Sequence, residues 1–344
     1  MSQSHPLWQL LLVRLRALWR EPSALFWVFV FPLLLSIALG IAFRNQGQAR
    51  LSVAVVESDG AAQVEAGLGR APGLRPERMD LASARRALAS GKVALVVVPG
   101  DAPRLLVDPN VPEGSTARLL ALDALQREAG RKDALVVAEE HVSTRGARYI
   151  DFLIPGLLGF GLMSSSVWGV GWSLVQMRMG KLLKRLVATP MRRSHLLASF
   201  LLSRLLLAAA ETVFFLVFAR VLFDVRVAGS LLDYGTLAMA GALSFGGLGL
   251  LVATRADNAE TANGLMNLVT LPMIVVSGVF FSASNFPGWM QPLIQALPLT
   301  ALNDALRAIA IDGASLWTQG GRLLLLGGWG AASFVVALRL FRWS

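Results

Sequence analysis

The chain has 344 residues, 55% of them hydrophobic, and a mean hydropathy of +0.58, which is too apolar for a water-soluble globular protein and indicates a polytopic membrane protein. Its net charge of +10 does not indicate nucleic-acid binding, because the Lys and Arg residues crowd beside hydrophobic runs, where orientation in the bilayer accounts for them. The absence of Cys excludes disulfides and Cys-ligated metal ions.

The N-terminal segment, residues 1–23, is predicted to form a cytoplasmic, interfacial amphipathic helix. Leucines and two tryptophans cover most of the circumference of Pro6–Arg20 and leave only a narrow polar strip. Residues 24–43 follow as the first transmembrane helix, since about 20 apolar residues cross the roughly 30 Å hydrocarbon core of a bilayer. This run is long enough to span and no clear cleavage site ends it, so we do not interpret it as a signal peptide.

Residues 44–148 differ abruptly in composition, with 15 basic and 13 acidic residues and no run long enough to cross a bilayer. Three apolar runs are predicted strands, at 51–57, 92–99 and 104–108. Two segments have helical periodicity, Ser83–Ser90 and Ser115–Arg127, with Ser115 as the predicted N-cap of the second. Alternating strands and helices predict a small α/β domain, and its scattered charges are typical of a solvated surface rather than a catalytic site.

Residues 149–344 are predicted to hold transmembrane helices 2 to 6, which with the first make a six-helix polytopic α-helical membrane protein. The five runs are at about 150–175, 196–222, 234–254, 264–282 and 322–340. Lys and Arg are concentrated in the loops on one side of these spans, which places both termini in the cytoplasm and makes the 44–148 domain extracytoplasmic.

A strongly basic segment, Gln176–His195, separates spans two and three and contains six Lys or Arg residues and no acid. Its apolar residues recur at helical spacing, so they share one helix face and leave the basic residues on the other. Two interpretations remain open. The segment is either an ordinary cytoplasmic loop that fixes topology and contacts anionic lipid, or a docking helix for a soluble partner.

The segment between spans five and six, 281–313, is too apolar for a free loop and is interrupted by three prolines. We expect one or two short re-entrant or interfacial helices at 283–312, lying on or dipping into the outer face of the membrane. Irregular backbone at that depth must be covered by protein or line a cavity.

Glu211 lies near the middle of span three, where an unpaired charge costs roughly 2.5 to 3.5 kcal/mol. Arg204 shares its helix face but lies about 10 Å away along the axis, too far for direct contact without side-chain reach or water. We therefore expect Glu211 to pair with another helix or to be protonated, at least as readily as to serve proton coupling or substrate binding.

A second polar group lies on one face of span five, formed by Asn263, Asn267 and Thr270. These side chains are expected to contact cargo or to hydrogen-bond a neighbouring helix, and polar residues commonly join helices in lipid.

Three stretches resemble the membrane subunits of ABC-2 type ABC transporters. They are YIDFLIPGLLG from Tyr149, LLKRLVATPMRRSHLLASFLLSRL from Leu182, and NLVTLPMIVVSGVFFSASNFPGWMQPLIQALPLTALNDALR from Asn267. The resemblance covers nearly the whole chain and is similar to the subgroup with a large extracytoplasmic domain after the first span.

The resemblance implies a permease that dimerises with a second copy or paralogue and binds a cytoplasmic ABC ATPase through a coupling helix at 176–189. The residues implied in ATPase coupling are Arg178, Lys181, Leu182, Lys184, Arg185 and Leu186. The cavity would lie at the dimer interface, with a candidate substrate pathway of Asn263, Asn267, Thr270 and Glu211. The family usually has an acidic residue and a Gly-Thr pair where this chain has Gln176 and Gly180-Lys181, which puts the charge partners on the ATPase in question.

The predicted function is therefore that of a permease subunit of an ABC exporter in a bacterial-type inner membrane, surrounded by membrane lipid. It would move a small lipophilic or amphiphilic substrate, drug-like or lipid, outward. No G-x-x-x-x-G-K-[ST] motif is present, so ATP hydrolysis is assigned to the partner chain, and no catalytic residue, cofactor or metal ion is expected.

Other functions stay open. Sodium or polysaccharide export lies within the same class, and a sensory or assembly membrane protein, whose outer domain binds a ligand and whose basic helix recruits a cytoplasmic partner, lies outside it. A secondary transporter is disfavoured because no inverted repeat is apparent.

Overall fold

The computed structural model divides the chain into two compact units, Met1–Phe43 with Ser143–Ser344, and Arg44–Val142. The residues that it describes are 8, 12, 16, 20–43, 50–100, 102–109, 111–131, 146, 148–182 and 193–340, with the side chains of 24, 112 and 193–198 excepted. Most of the interfacial helix predicted at residues 1–23 lies outside this set.

The larger unit begins with a continuous helix made of α1 (Pro22–Leu25), a π-helical turn (Phe26–Val30) and α2 (Phe31–Ala42). The π turn comes directly before Pro32, which has no N–H and whose ring crowds the carbonyl group one turn earlier. The apolar stretch Phe26–Ala42 is shorter than the other membrane helices. The sixth span, at residues 24–43, therefore stays a prediction.

The smaller unit contains a four-stranded sheet in the order β2-β1-β3-β4. The strands are β1 (Leu51–Val56), β2 (Leu74–Met79), β3 (Leu95–Val98) and β4 (Arg104–Leu106). β1 runs parallel to β2 and β3, whereas β4 is antiparallel to β3. The three predicted strands coincide with β1, β3 and β4. β2 was missed because LRPERM is charged and holds a proline, which an edge strand tolerates.

Three helices cover both faces of this sheet: α3 (Ala61–Arg70), α4 (Leu81–Ala89) and α5 (Pro112–Glu128). Small residues of α3 and α5 pack with Val53 and Leu95 on one face, and Ala84 of α4 packs on the other. Asp80 caps α4 by accepting the Ser83 N–H, and hydrogen bonds from the Ser83 side chain and backbone lower the pKa of Asp80. The predicted N-cap at Ser115 is wrong, because Pro112 starts α5 one turn earlier.

The larger unit continues with five helices that are long and apolar enough to cross a membrane, as judged over the described residues by length and composition. They are α6 (Tyr149–Met179), α7 (Arg193–Phe223), α8 (Leu231–Arg255), α9 (Ala259–Val276) and, after the short helices α10 (Gln291–Gln295) and α11 (Pro298–Ala310), α12 (Gly320–Leu340). The chain is thus a multi-pass membrane protein.

Helices α6 and α8 form the centre of the bundle. They cross at very short range, since a Cβ atom on Gly171 would lie 2.9 Å from the Gly249 carbonyl oxygen and one on Gly249 would lie 2.8 Å from that of Val167. Backbone-to-backbone packing of this kind is what small residues permit between membrane helices. In their most apolar windows, 83% of α6 residues and 72% of α8 residues are buried, against 22% in α9.

Helix α11 is amphipathic and descends alongside α6 and α8. Its Asn303 lies at Gly159, ten residues into α6, and its Ile309 lies at Gly229, just before α8 begins. Asn303, in the middle of α11, is therefore about 15 Å farther along the α6 axis than Tyr149, at 1.5 Å per helical residue. The short helix α11 is thus packed among the long helices, and its re-entrant course relative to a membrane stays a prediction.

Candidate functional site

The predicted coupling segment begins where α6 ends. Helix α6 stops at Met179 and the backbone turns at Gly180 and Lys181, the latter in a left-handed conformation with φ of 54°. The prediction of one basic helix running on from Gln176 is wrong at this point, because residues up to Met179 belong to α6 and a turn follows. Of the six predicted coupling residues, Lys184, Arg185 and Leu186 lie outside the described residues.

The three described coupling residues point in different directions. Lys181 and Leu182 are exposed. Arg178 is half-buried, and its Nη1 donates to the carbonyl oxygens of Ala253 at 3.1 Å and Ala256 at 3.0 Å, at the C-terminal end of α8. Helix-end carbonyl groups lack partners within their own helix and form a negative pole, so a cation is favourable there. Arg178 therefore ties the end of α6 to the end of α8.

Glu211 is buried in a pair with Arg204 of the same helix, and their side chains are 1% and 2% exposed. The Arg204 guanidinium donates from Nη1 to Oε1 and from Nη2 to Oε2, both at 3.0 Å, and the Ser165 hydroxyl of α6 donates to Oε2 at 3.1 Å. Glu211 thus has a hydrogen-bond partner on another helix, but its charge partner lies on its own helix, because the arginine side chain spans two helical turns. Both carboxylate oxygens are occupied, which favours a structural role.

The polar residues predicted on span five do not share one environment. Thr270 is buried, and its hydroxyl donates to the Met266 carbonyl oxygen of α9 itself at 2.8 Å. Asn263 and Asn267 are exposed on the same helix. The two asparagines lie on a face whose apolar members are also exposed, Leu268 by 69%, Leu271 by 54% and Val275 by 54%.

A cluster that sequence reasoning missed lies where α9 ends. Three side chains, which we call the clasp, donate to three of the four carbonyl groups that follow Val276. Asn303 Nδ2 donates to Ser277 at 3.0 Å, Arg307 Nη2 donates to Gly278, and the Tyr149 hydroxyl donates to Phe280 at 2.8 Å. The sequence signal was an arginine and an asparagine four residues apart on one face of an otherwise apolar helix.

Arg307 makes further contacts with α6. Its Nε donates to the Phe152 carbonyl oxygen at 3.1 Å, and its guanidinium carbon lies 3.6 Å from the centroid of the Phe152 ring. The nearest carboxylate is that of Asp304, with an oxygen 3.8 Å from Nη1. A guanidinium group suits this position, since its planar fork presents several donors in fixed directions and stacks on aromatic rings.

Glycines make room for the clasp. A Cβ atom on Gly156 would lie 2.7 Å from Arg307 Nη2 and 2.5 Å from the Val279 carbonyl oxygen, and one on Gly159 would collide with Asn303 Oδ1. Gly278 has φ of 72°, a left-handed conformation that lets the chain turn out of α9.

Comparison with known proteins agrees with this architecture. Residues 22–339 match a family described as "ABC-2 family transporter protein". The daunorubicin resistance ABC transporter permease protein DrrB1 of Streptomyces coeruleorubidus is 26% identical over 200 residues, which are 56% of this chain and 69% of that protein. The probable multidrug ABC transporter permease YbhR of Escherichia coli K12 is 25% identical over 166 residues, 48% of this chain and 45% of that protein.

ABC transporter G family member 20 of Dictyostelium discoideum is 27% identical over 172 residues, 49% of this chain and 23% of that protein. The chain thus spans less than half the length of two of these three relatives.

Proposed function

Because the chain belongs to the ABC-2 family of ABC transporters, whose match extends over residues 22–339, we propose that it is the membrane-spanning permease subunit of an ABC exporter. Proteins of this family are membrane transport subunits that work with an ABC ATPase on a partner chain. The observation that carries the proposal is the family match, which extends across the smaller α/β unit and the five long membrane helices.

The proposed docking site for the ATPase is the end of α6. Lys181 and Leu182 are exposed there and begin the basic segment 176–189, in which Lys184, Arg185 and Leu186 follow. Helix α6 is the most buried of the long helices, so a displacement of this segment would be transmitted directly to the centre of the bundle. An exporter would use that displacement to change the side to which its cavity opens.

The proposed substrate is a small lipophilic or amphiphilic molecule, either drug-like or a lipid. Two relatives support this class, since one is named for daunorubicin resistance and another for multidrug transport. The proposed pathway runs along the exposed face of α9, with Asn263 and Asn267 among apolar residues, between this chain and a second copy or a paralogue. In this proposal Thr270 and Glu211 do not line the pathway but stabilise the helices that form it, because both are buried.

The proposed topology has six spans, including residues 24–43, with both termini in the cytoplasm and residues 44–148 outside. It supports a location in a bacterial-type inner membrane. This topology is supported by the six Lys or Arg residues, without an acid, in Gln176–His195, because short cytoplasmic loops are rich in positive charge. The charged residues of 44–148 do not oppose it, because long domains cross the membrane largely regardless of their charge.

The test is co-purification with an ABC ATPase, followed by vanadate-sensitive export from reconstituted vesicles. Lys181→Glu with Leu182→Ala is expected to weaken ATPase binding by about tenfold, since it reverses a charge and removes an apolar contact. Arg226→Ala is the matched control, because Arg226 is exposed at the opposite end of the bundle. Failure to bind any ABC ATPase would contradict the proposal and favour a sensory or assembly protein.

A further inference from the structure

We propose that Arg307 is a positioning residue that joins the end of α9, helix α11 and the first half of α6 into one body, which moves as a unit during transport. The inference rests on the proposed function, because it concerns which parts of an exporter stay together when the cavity changes sides.

The first step is the depth at which α9 ends. The carbonyl oxygen of Val279 lies beside Gly156, seven residues after Tyr149 in α6. The break in α9 is therefore about 10 Å deeper than the start of α6, at 1.5 Å per residue. The carbonyl groups that follow this break lie outside the helical hydrogen-bond pattern, and the hydrocarbon core offers no water as a partner for them.

The second step is the source of the missing donors. The carbonyl groups of Ser277, Gly278 and Phe280 are all satisfied by side chains of other elements, two from α11 and one from α6. Arg307 bonds to both sides of the joint between α6 and the end of α9, since it donates to Gly278 after α9 and to Phe152 within α6. Tyr149 of α6 adds a second link through Phe280. One guanidinium group thus holds the end of one membrane helix against another.

The third step is the lack of space in the joint. Even one added methyl group on Gly156 or Gly159 would overlap a clasp atom or the Val279 carbonyl group. Sliding α9 along α6 would break hydrogen bonds that no solvent can replace at this depth. Only 22% of the residues in the most apolar window of α9 are buried. Motion of α9 relative to whatever packs on its exposed face is therefore far less costly than motion relative to α6.

The first experiment compares variants of the full complex with its ATPase in vesicles. Arg307→Gln is expected to keep ATP hydrolysis within about twofold while transport per ATP falls about tenfold, because the carbonyl groups of Gly278 and Phe152 lose their donor. Arg307→Lys is expected to recover part of the loss, since an ammonium group keeps the charge but lacks the fork. Tyr149→Phe, which removes a single hydroxyl group, should show a smaller loss of the same kind.

Arg322→Gln is the matched control. Arg322 also lies near Asp304, at 3.9 Å, but its side chain is 40% exposed and contacts neither α9 nor α6 in the described hydrogen bonds. It should leave transport per ATP unchanged. If Arg307→Gln and Tyr149→Phe transported as well as Arg322→Gln, the inference would be overturned while the proposed function stood.

The second experiment measures the distance between the end of α9 and the end of α11 while the clasp residues are left unchanged. The chain contains no Cys, so Phe281→Cys and Asp312→Cys introduce the only two thiols, one just after α9 and one just after α11. Spin labels at these exposed sites should give the same distance in the nucleotide-free and the vanadate-trapped complex. A distance that changes between the two states would show that the clasp opens, which would overturn the inference even with transport intact.

Discussion

The two halves of α6 differ in how their polar groups are used. From Tyr149 to Ser165 the helix meets buried polar side chains: the clasp residues at one level and the Arg204–Glu211 pair below them. From Gln176 to Leu182 the side chains are mostly exposed and the helix ends in a turn. The first half is fixed to its neighbours by buried polar contacts, whereas the last turn presents accessible charge, so the two ends of the helix differ in what can reach them from outside the bundle.

The largest expected effect comes from breaking the Arg204–Glu211 pair. Glu211→Gln leaves the Arg204 charge buried without its counter-ion, and loss of one partner from a buried pair costs about 3 kcal/mol of stability or more. The measurement is the unfolding free energy of the purified chain in detergent. If the pair is structural, adding Arg204→Met to Glu211→Gln should recover much of the loss.

A functional role for Glu211 predicts a different pattern. Stability would then be unchanged in Glu211→Gln, while transport alone would fall and the second substitution would not restore it. Thr212→Val on the same helix is the control, because the Thr212 hydroxyl bonds only to the Ala208 carbonyl oxygen one turn earlier and its removal should be nearly neutral.

The next effect concerns how tightly α11 is seated on α6. Gly159→Ala places a methyl group against Asn303 Oδ1, and such overpacking costs about 1 to 3 kcal/mol. Gly161→Ala, two residues away on the same helix, meets nothing within 4 Å and should be neutral or slightly stabilising, since Ala is the better helix former. Thermal unfolding of the two variants checks this, and equal midpoints would contradict the packing described.

The sequence predicted the long helices well and the polar contacts poorly. Runs of 18 or more apolar residues determine where α6 to α9 and α12 lie, because lipid admits little else. Helical spacing also placed Arg204 and Glu211 on one face, but axial separation could not decide whether the reach of the arginine side chain would close the gap, as it does in the structure. The clasp was missed because it depends on where α9 breaks and on how deep α11 descends, which are properties of tertiary packing.

The same limit affected the coupling residues. Charge and periodicity put Arg178, Lys181 and Leu182 into one basic segment, yet the structure separates the first from the other two at the end of α6. Helical periodicity gives no sign of the turn that ends α6, and Gly180 is the only residue there that disfavours a continuing helix. The sequence predicted the 44–148 domain better, since β-branched runs mark buried strands, although its charged edge strand gave no such signal.

The smallest effect is expected at the exposed end of α6 and separates the two kinds of basic residue there. Arg178→Ala removes a half-buried donor from the carbonyl groups of Ala253 and Ala256, which should cost about 1 kcal/mol and speed amide exchange in the last turn of α8. Lys181→Ala should change neither quantity but should weaken ATPase binding. Amide exchange monitored by mass spectrometry, with the ATPase absent and present, distinguishes the two. Unchanged protection of α8 in Arg178→Ala would mean that Arg178 belongs with Lys181 on the proposed docking surface. The part of α6 that is fixed to its neighbours would then stop one turn before the end of the helix.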